Sequence, residues 1–161
     1  MSDPHLETAL PLRVREIVGA GADAALLNAG LPVPEAPQTA LPHGEGLVAC
    51  TGRNDYLVIS ADDWPCPSGP PPWCLERSDM VMRLTGAAWP EVMTQLCPHD
   101  LRQLPAGGWF MAAVAGVTAW LYRPEAAPGT LLLGCDPSYG AYLQSMLDAV
   151  VTDHRDAPSI D

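Results

Sequence analysis

The apolar residues of this chain fall in short runs separated by glycine- and proline-rich breaks. Two runs, Leu47–Thr51 and Tyr56–Ser60, flank Gly52-Arg53-Asn54-Asp55. β-Capable residues on either side of a Gly/Asn/Asp turn predict a hairpin. Met80–Thr85, Trp109–Ala113, Val117–Tyr122 and Thr130–Cys135 predict further strands, with a small turn at Ala115-Gly116. Other segments show helical spacing. Over Gly86–Cys97 it puts Trp89, Val92, Met93 and Leu96 on one face, tolerates Pro90 in the first turn and stops at Pro98. Over Pro137–Val151 it aligns Tyr139, Tyr142, Leu143, Met146, Leu147 and Val150. A shorter Ala/Leu-rich helix is predicted over 20–30, with Asp23 early and Gly30 as its stop.

Between these elements lie two proline-rich stretches, 31–46 and 61–74, read as irregular loops. The second, ADDWPCPSGPPPWC, is long enough to suggest a functional or docking role. The string of elements predicts an α+β fold: a single domain with an antiparallel sheet and helices packed on it. Residues 1–15 are expected to be a flexible N-terminal segment, 16–151 the domain, and 152–161 a polar C-terminal tail.

Composition narrows the chemistry. The chain has 161 residues, 48% of them apolar, so a core can be buried and wholesale disorder is excluded. Net charge is −11, and all 8 basic residues are arginine. The lack of lysine excludes a phosphate-loop lysine and a Schiff-base lysine. The acidic balance argues against nucleic acid or an anionic membrane as partner. The longest apolar stretch, Trp109–Tyr122, is shorter than the roughly 20 residues of a spanning helix. No basic segment followed by an apolar one opens the chain, so no secretory signal is visible. With Cys50, Cys66, Cys74, Cys97 and Cys135, an odd count, this predicts reduced thiols and a cytoplasmic protein.

Arg83-Leu84-Thr85-Gly86-Ala87-Ala88, then a helix, then Leu96-Cys97-Pro98-His99-Asp100-Leu101, resembles a pattern of the sarcosine oxidase gamma subunit family: strand, S/T-G, small residues, helix, L-x-P-x-D-L. The order of other segments extends the resemblance across Leu12 to Val150. Gly52 to Val58 matches a hairpin, and Gly107-Gly108-Trp109-Phe110 leads to the aromatic-basic Trp120-Leu121-Tyr122-Arg123. Leu131 to Gly134 and Ser138 to Leu143 match a last strand and helix. The chain departs from many relatives in carrying Met111 in place of a threonine and in its proline-rich linker before Cys74.

This resemblance implies a fold related to the folate-binding domain of aminomethyltransferases. It implies a non-catalytic subunit of a heteromeric, flavin-dependent oxidoreductase that demethylates sarcosine or a similar N-methyl amino acid. It further implies that larger flavoprotein subunits are the partners, and that they hold FAD, FMN, NAD, zinc and tetrahydrofolate, with no cofactor in this chain. The alternatives are a stand-alone folate-binding or one-carbon-transfer protein and a small-ligand binding module.

Candidate chemistry is sparse, and no catalytic, cofactor-binding or metal-binding residue is assigned. Cys97, His99 and Asp100 gather a thiol, an imidazole and a carboxylate at a helix end, but no C-x-x-C pair supports zinc. Termination of the helix, with Asp100 accepting backbone hydrogen bonds, accounts for them. Gly86, Pro98, Asp100 and Leu101 are read as a structural motif. Asp79 and Asp100 are the best carboxylates for a folate-type site. Gly19-Ala20-Gly21-Ala22-Asp23-Ala24 fits a dinucleotide loop in spacing only, with no strand before it. Trp64 and Trp73 bracket the proline-rich loop, and either pack locally or anchor a protein partner.

Overall fold

The computed structural model describes residues 2–156. The chain divides into two compact units, each with its own five-stranded antiparallel sheet. The α+β class and the antiparallel pairing therefore hold, but the one expected sheet is two.

One unit runs from Pro11 to Asp79, with Gly107–Trp109 added. Its strands are β2 (Arg13–Val18), β3 (Thr39–His43), β4 (Gly46–Gly52), β5 (Asp55–Ser60) and β6 (Trp73–Arg77), in the order β3-β4-β5-β2-β6. β4 and β5 form the expected hairpin, closing through Asn54 at φ 54°. Asparagine tolerates that left-handed geometry better than most residues. Helix α1 (Ala22–Asn28) buries Ala22 and Leu26, and Gly30 at φ 74° ends it. Its core joins Ile17, Leu26, Val48, Tyr56, Val58 and Trp64.

The other unit comprises the segment up to Leu10, Met80–Ala106 and the chain from Phe110 onward. The order of its sheet is β1 (His5–Glu7), β7 (Met80–Thr85), β10 (Thr130–Cys135), β9 (Val117–Tyr122), β8 (Trp109–Val114). β8 and β9 join through Ala115 and Gly116, both at positive φ, the turn that matches strand twist in a hairpin. Helix α2 (Trp89–Thr94) and helix α3 (Pro137–Asp156) cover one face. Trp89, Val92, Met93 and Leu96 are all buried in this core, as the helical spacing predicts. From α3, Leu143, Leu147, Val150 and Val151 are buried, whereas Tyr139 and Tyr142 face solvent. Gly134 of β10 sits opposite Trp120 of β9, where a Cβ would collide with the indole.

Several expectations change. The N-terminal segment expected to be flexible over 1–15 contains β1 and the start of β2, and β2 runs to Val18, so a strand does precede Gly19, though it belongs to an antiparallel sheet and not to a βαβ unit. His5–Glu7 pairs with Arg83–Thr85, Arg83 meets Glu7 at 3.0 Å, and the Arg155 guanidinium donates to the Pro4 carbonyl at 2.8 Å. A three-residue strand has no periodicity to read; distant partners create it. The irregular stretch 31–46 contains β3, which holds Pro42 because an edge strand can lack an N–H on its outer side. The end of the 61–74 loop belongs to β6. Helix α3 continues through 152–156 of the expected tail, whose remainder, 157–161, lies outside the described residues. The reduced-thiol expectation is corrected at Cys66 and Cys74, which form a disulfide; Cys50, Cys97 and Cys135 are buried thiols. No helix among the described residues is long and apolar enough to cross a membrane.

Candidate functional site

Gly86 ends β7 at φ 107°. A Cβ there would strike the Asp3 carbonyl and Pro4, so glycine lets the N-terminal segment pass close by. Its N–H donates to the Gly129 carbonyl at 3.1 Å, and the Ala87 N–H to that of Ser2 at 3.3 Å. Gly86→Ala should lower stability by about 1–3 kcal/mol through backbone strain. Gly129→Ala should change it by no more than about 0.5 kcal/mol, because Gly129 faces open space. Denaturant melts of the two variants check this contrast.

After α2 the chain turns at Pro98 and begins a 3-10 turn at Leu101–Gln103, with Leu101 buried. Asp100 caps it. Its carboxylate accepts from the Arg102 backbone N–H at 3.2 Å, from the Arg102 guanidinium at 2.7 and 3.2 Å, and from the Gln103 amide at 3.2 Å. The Arg102 side-chain hydrogen bond, then that of Gln103, lowers the Asp100 pKa to about 2. Such a carboxylate is a poor proton acceptor near neutrality. Because the folded pKa lies below the unfolded one, the contribution of this cap is complete above about pH 4 and is lost as pH falls towards 2. Asp100→Asn should therefore flatten the acid limb of the stability–pH curve between those values, read from melts across the range.

Beside the cap, the His99 ring meets Phe110 edge-on at 5.6 Å between centroids. His99, Gln103, Leu104, Pro105 and Phe110 line an open cleft of about 300 Å³. The Cys97 thiol, by contrast, is buried in the core. The aromatic-basic pair Tyr122-Arg123 also has an inward structural role. Arg123 donates to the Leu104 carbonyl at 2.7 Å and lies over the Trp89 ring at 5.9 Å. The Tyr122 hydroxyl is buried without a hydrogen-bond partner among the described residues, and burial, followed by the charge of Glu125, pushes its pKa up.

In the other unit Asp79 is held in a two-pronged pair with Arg77, at 2.9 and 3.1 Å, and its side chain is 3% exposed. Arg77 also reaches Glu16 at 3.5 Å. Asp79 and Asp100 thus sit in separate local networks, and neither presents a free carboxylate. No group of three or more potential metal ligands occurs among the described residues.

The two tryptophans part company. Trp64 is 6% exposed within the core, with the Arg15 guanidinium 5.7 Å above its ring and hydrogen-bonded to its carbonyl. Arg15 also binds Asp63 at 2.7 Å, a hydrogen bond that lowers the Asp63 pKa. The expectation that Trp64 anchors a partner is therefore corrected: a ring already desolvated at home has little surface to offer. Trp73 is 56% exposed on edge strand β6, beside Leu75 at 46%. Leu75 lies just past the proline-rich 61–74 stretch, in a segment to which the sequence pattern assigns no element. Its alternation with Trp73 was the available signal.

No family model matches the sequence, and no curated protein matches it. Two solved structures are similar in fold. One is a chain of the heterotetrameric sarcosine oxidase from Corynebacterium sp. U-96 in complex with pyrrole 2-carboxylate, with TM-score 0.79 and 17% identity. That match covers 96% of this chain and 87% of the other. The second is the glycine cleavage system aminomethyltransferase T from Bartonella henselae, with TM-score 0.66 and 11% identity, covering 92% of this chain. The chain spans 47%, about half, of the aminomethyltransferase. It thus shares its fold with a chain of that heterotetrameric sarcosine oxidase and with part of that aminomethyltransferase.

Proposed function

We propose that the chain is a non-catalytic, gamma-type subunit of a heteromeric, flavin-dependent oxidoreductase acting on sarcosine or a related N-methyl amino acid. The observation that carries this reading is the near end-to-end fold match, 96% of this chain and 87% of the other, to a chain of a heterotetrameric sarcosine oxidase. The local chemistry is consistent with it. Asp79 and Asp100 are tied to arginines, and the Cys97 thiol is buried. In this reading FAD, FMN, NAD, zinc and tetrahydrofolate belong to larger partner subunits, and the complex works in the cytoplasm.

The aminomethyltransferase match favours one competing reading, a folate-binding protein that acts alone. Two measurements on the purified chain separate them. A subunit of the proposed kind shows no flavin absorption band and gives no saturable heat on titration with tetrahydrofolate. A flavin band, or a stoichiometric folate isotherm, would overturn the non-catalytic assignment.

A further inference from the structure

Three places in the molecule have features that the subunit reading leaves unused. The His99–Phe110 cleft is open, and its carboxylate is already saturated by Arg102 and Gln103. A groove of about 580 Å³ between α1 and the proline-rich loop is lined mainly by Ala, Gly and Pro, which offer little chemistry to select a ligand. The outer edge of β6 differs, because among the described residues no strand pairs with it.

β6 is the last strand of its sheet. Its inner side pairs with β2 from Trp73 to Arg77. Alternate residues of such a strand turn their N–H and C=O groups away from the neighbour. They form a row that an added extended segment can satisfy. Trp73 and Leu75, two residues apart, project from the same face and are 56% and 46% exposed. Natural edges are usually blunted by charge, proline or a bulge. Here the charges come only at the far end, Glu76 and Arg77, and Arg77 is drawn to Asp79 and Glu16. The edge is also held in place, since Cys74 is bonded to Cys66 across a loop containing Pro67, Pro70, Pro71 and Pro72. A pre-ordered edge loses less entropy on docking.

Charge selects the occupant. Near the strand Asp63 is paired with Arg13 and Arg15, and Glu76 with Arg13, but the whole chain carries −11. A second copy would bring the same excess of negative charge; a segment rich in Arg and Lys would neutralise it. We propose that the outer edge of β6 takes up an extended, net-positive segment of a larger partner protein as a sixth strand, with Trp73 and Leu75 as its apolar anchors. This rests on the subunit reading above.

The test uses the full chain, tagged and purified with its partners from its own cells. Hydrogen exchange of the outward amides within 73–77 should be slower by about tenfold or more in the assembly than in the isolated chain. With p-benzoylphenylalanine in place of Leu75, photo-cross-linking should reach a partner segment with more Arg and Lys than Asp and Glu. Leu75→Lys should weaken assembly by about tenfold or more, while the isolated variant melts like the parent. An assembly in which 73–77 exchanges as fast as in the isolated chain overturns the edge proposal and leaves the subunit reading standing. So does a cross-link to an acidic segment, or protection that grows with the isolated chain's concentration and so assigns the edge to a second copy. Absence of any larger flavoprotein from the assembly removes the subunit reading, and the edge proposal with it.

Discussion

Met93→Asp is expected to abolish cooperative folding of the unit that contains α2. Met93 is 0% exposed, on α2 beside Trp89 and Val92, and all three lie in the core. Aspartate there removes a large apolar side chain and leaves a carboxylate with nothing to pair. Loss of a buried Met side chain alone costs about 2–5 kcal/mol. An unpaired buried charge adds several more, or forces protonation. Total stability of a domain is only about 5–15 kcal/mol. Circular dichroism and thermal melts should show a broad or absent transition. Met93→Leu is the control, and should cost less than about 1.5 kcal/mol because volume and polarity are nearly kept. A cooperative melt for Met93→Asp at the parent's temperature would place this face in solvent.

Trp64→Ala and Trp73→Ala should separate sharply in the isolated chain. Trp64 fills the core beside Leu26 and Val58 and lies under Arg15, so its truncation is expected to cost about 3–5 kcal/mol. The lost cation–π contact contributes about 0.5–1 kcal/mol of it. Trp73 is exposed on β6, so its truncation should shift stability by no more than about 0.5 kcal/mol. Denaturant midpoints of the two single variants check this. Equal, small shifts would return Trp64 to the surface.

That pair shows where the sequence is legible and where it is silent. Trp64 and Trp73 sit symmetrically about the proline-rich loop, and nothing local distinguishes a ring that turns into a core from one left on an edge. The difference is made by Arg15, 49 residues away. β7, β9 and β10 begin and end where their apolar runs do, because buried strands need little beyond continuous apolar residues. Helix α2 is legible from the helical period of Trp89, Val92, Met93 and Leu96, although it covers only Trp89–Thr94 of the expected 86–97. β1, β3 and β6 are not: β1 and β6 are short edge strands made by pairing with distant partners, and β3, though it turns straight into β4, is an edge strand broken by Pro42. Periodicity also gives each strand a face without naming its neighbours, so one expected sheet became two. The Asp100 turn was legible as helix termination. The extent to which Arg102 and Gln103 saturate its carboxylate was not, because that depends on where two side chains fold back. Tyr139 and Tyr142 match the period of α3 yet stay exposed, with the Tyr142 hydroxyl donating to the Ala115 carbonyl at 3.1 Å. An amphipathic tyrosine can sit at a core margin with its polar tip outward.

If this chain is a non-catalytic subunit, it performs no chemistry by itself and travels with subunits that do. The most direct measurement is the absorption spectrum and subunit composition of the native assembly, purified through a tag on this chain and assayed for sarcosine-dependent reduction of its flavin. The expected result is a yellow complex with larger subunits in fixed stoichiometry, bleached on addition of sarcosine or a related N-methyl amino acid. A chain that purifies alone, or with partners that carry no flavin, would contradict it.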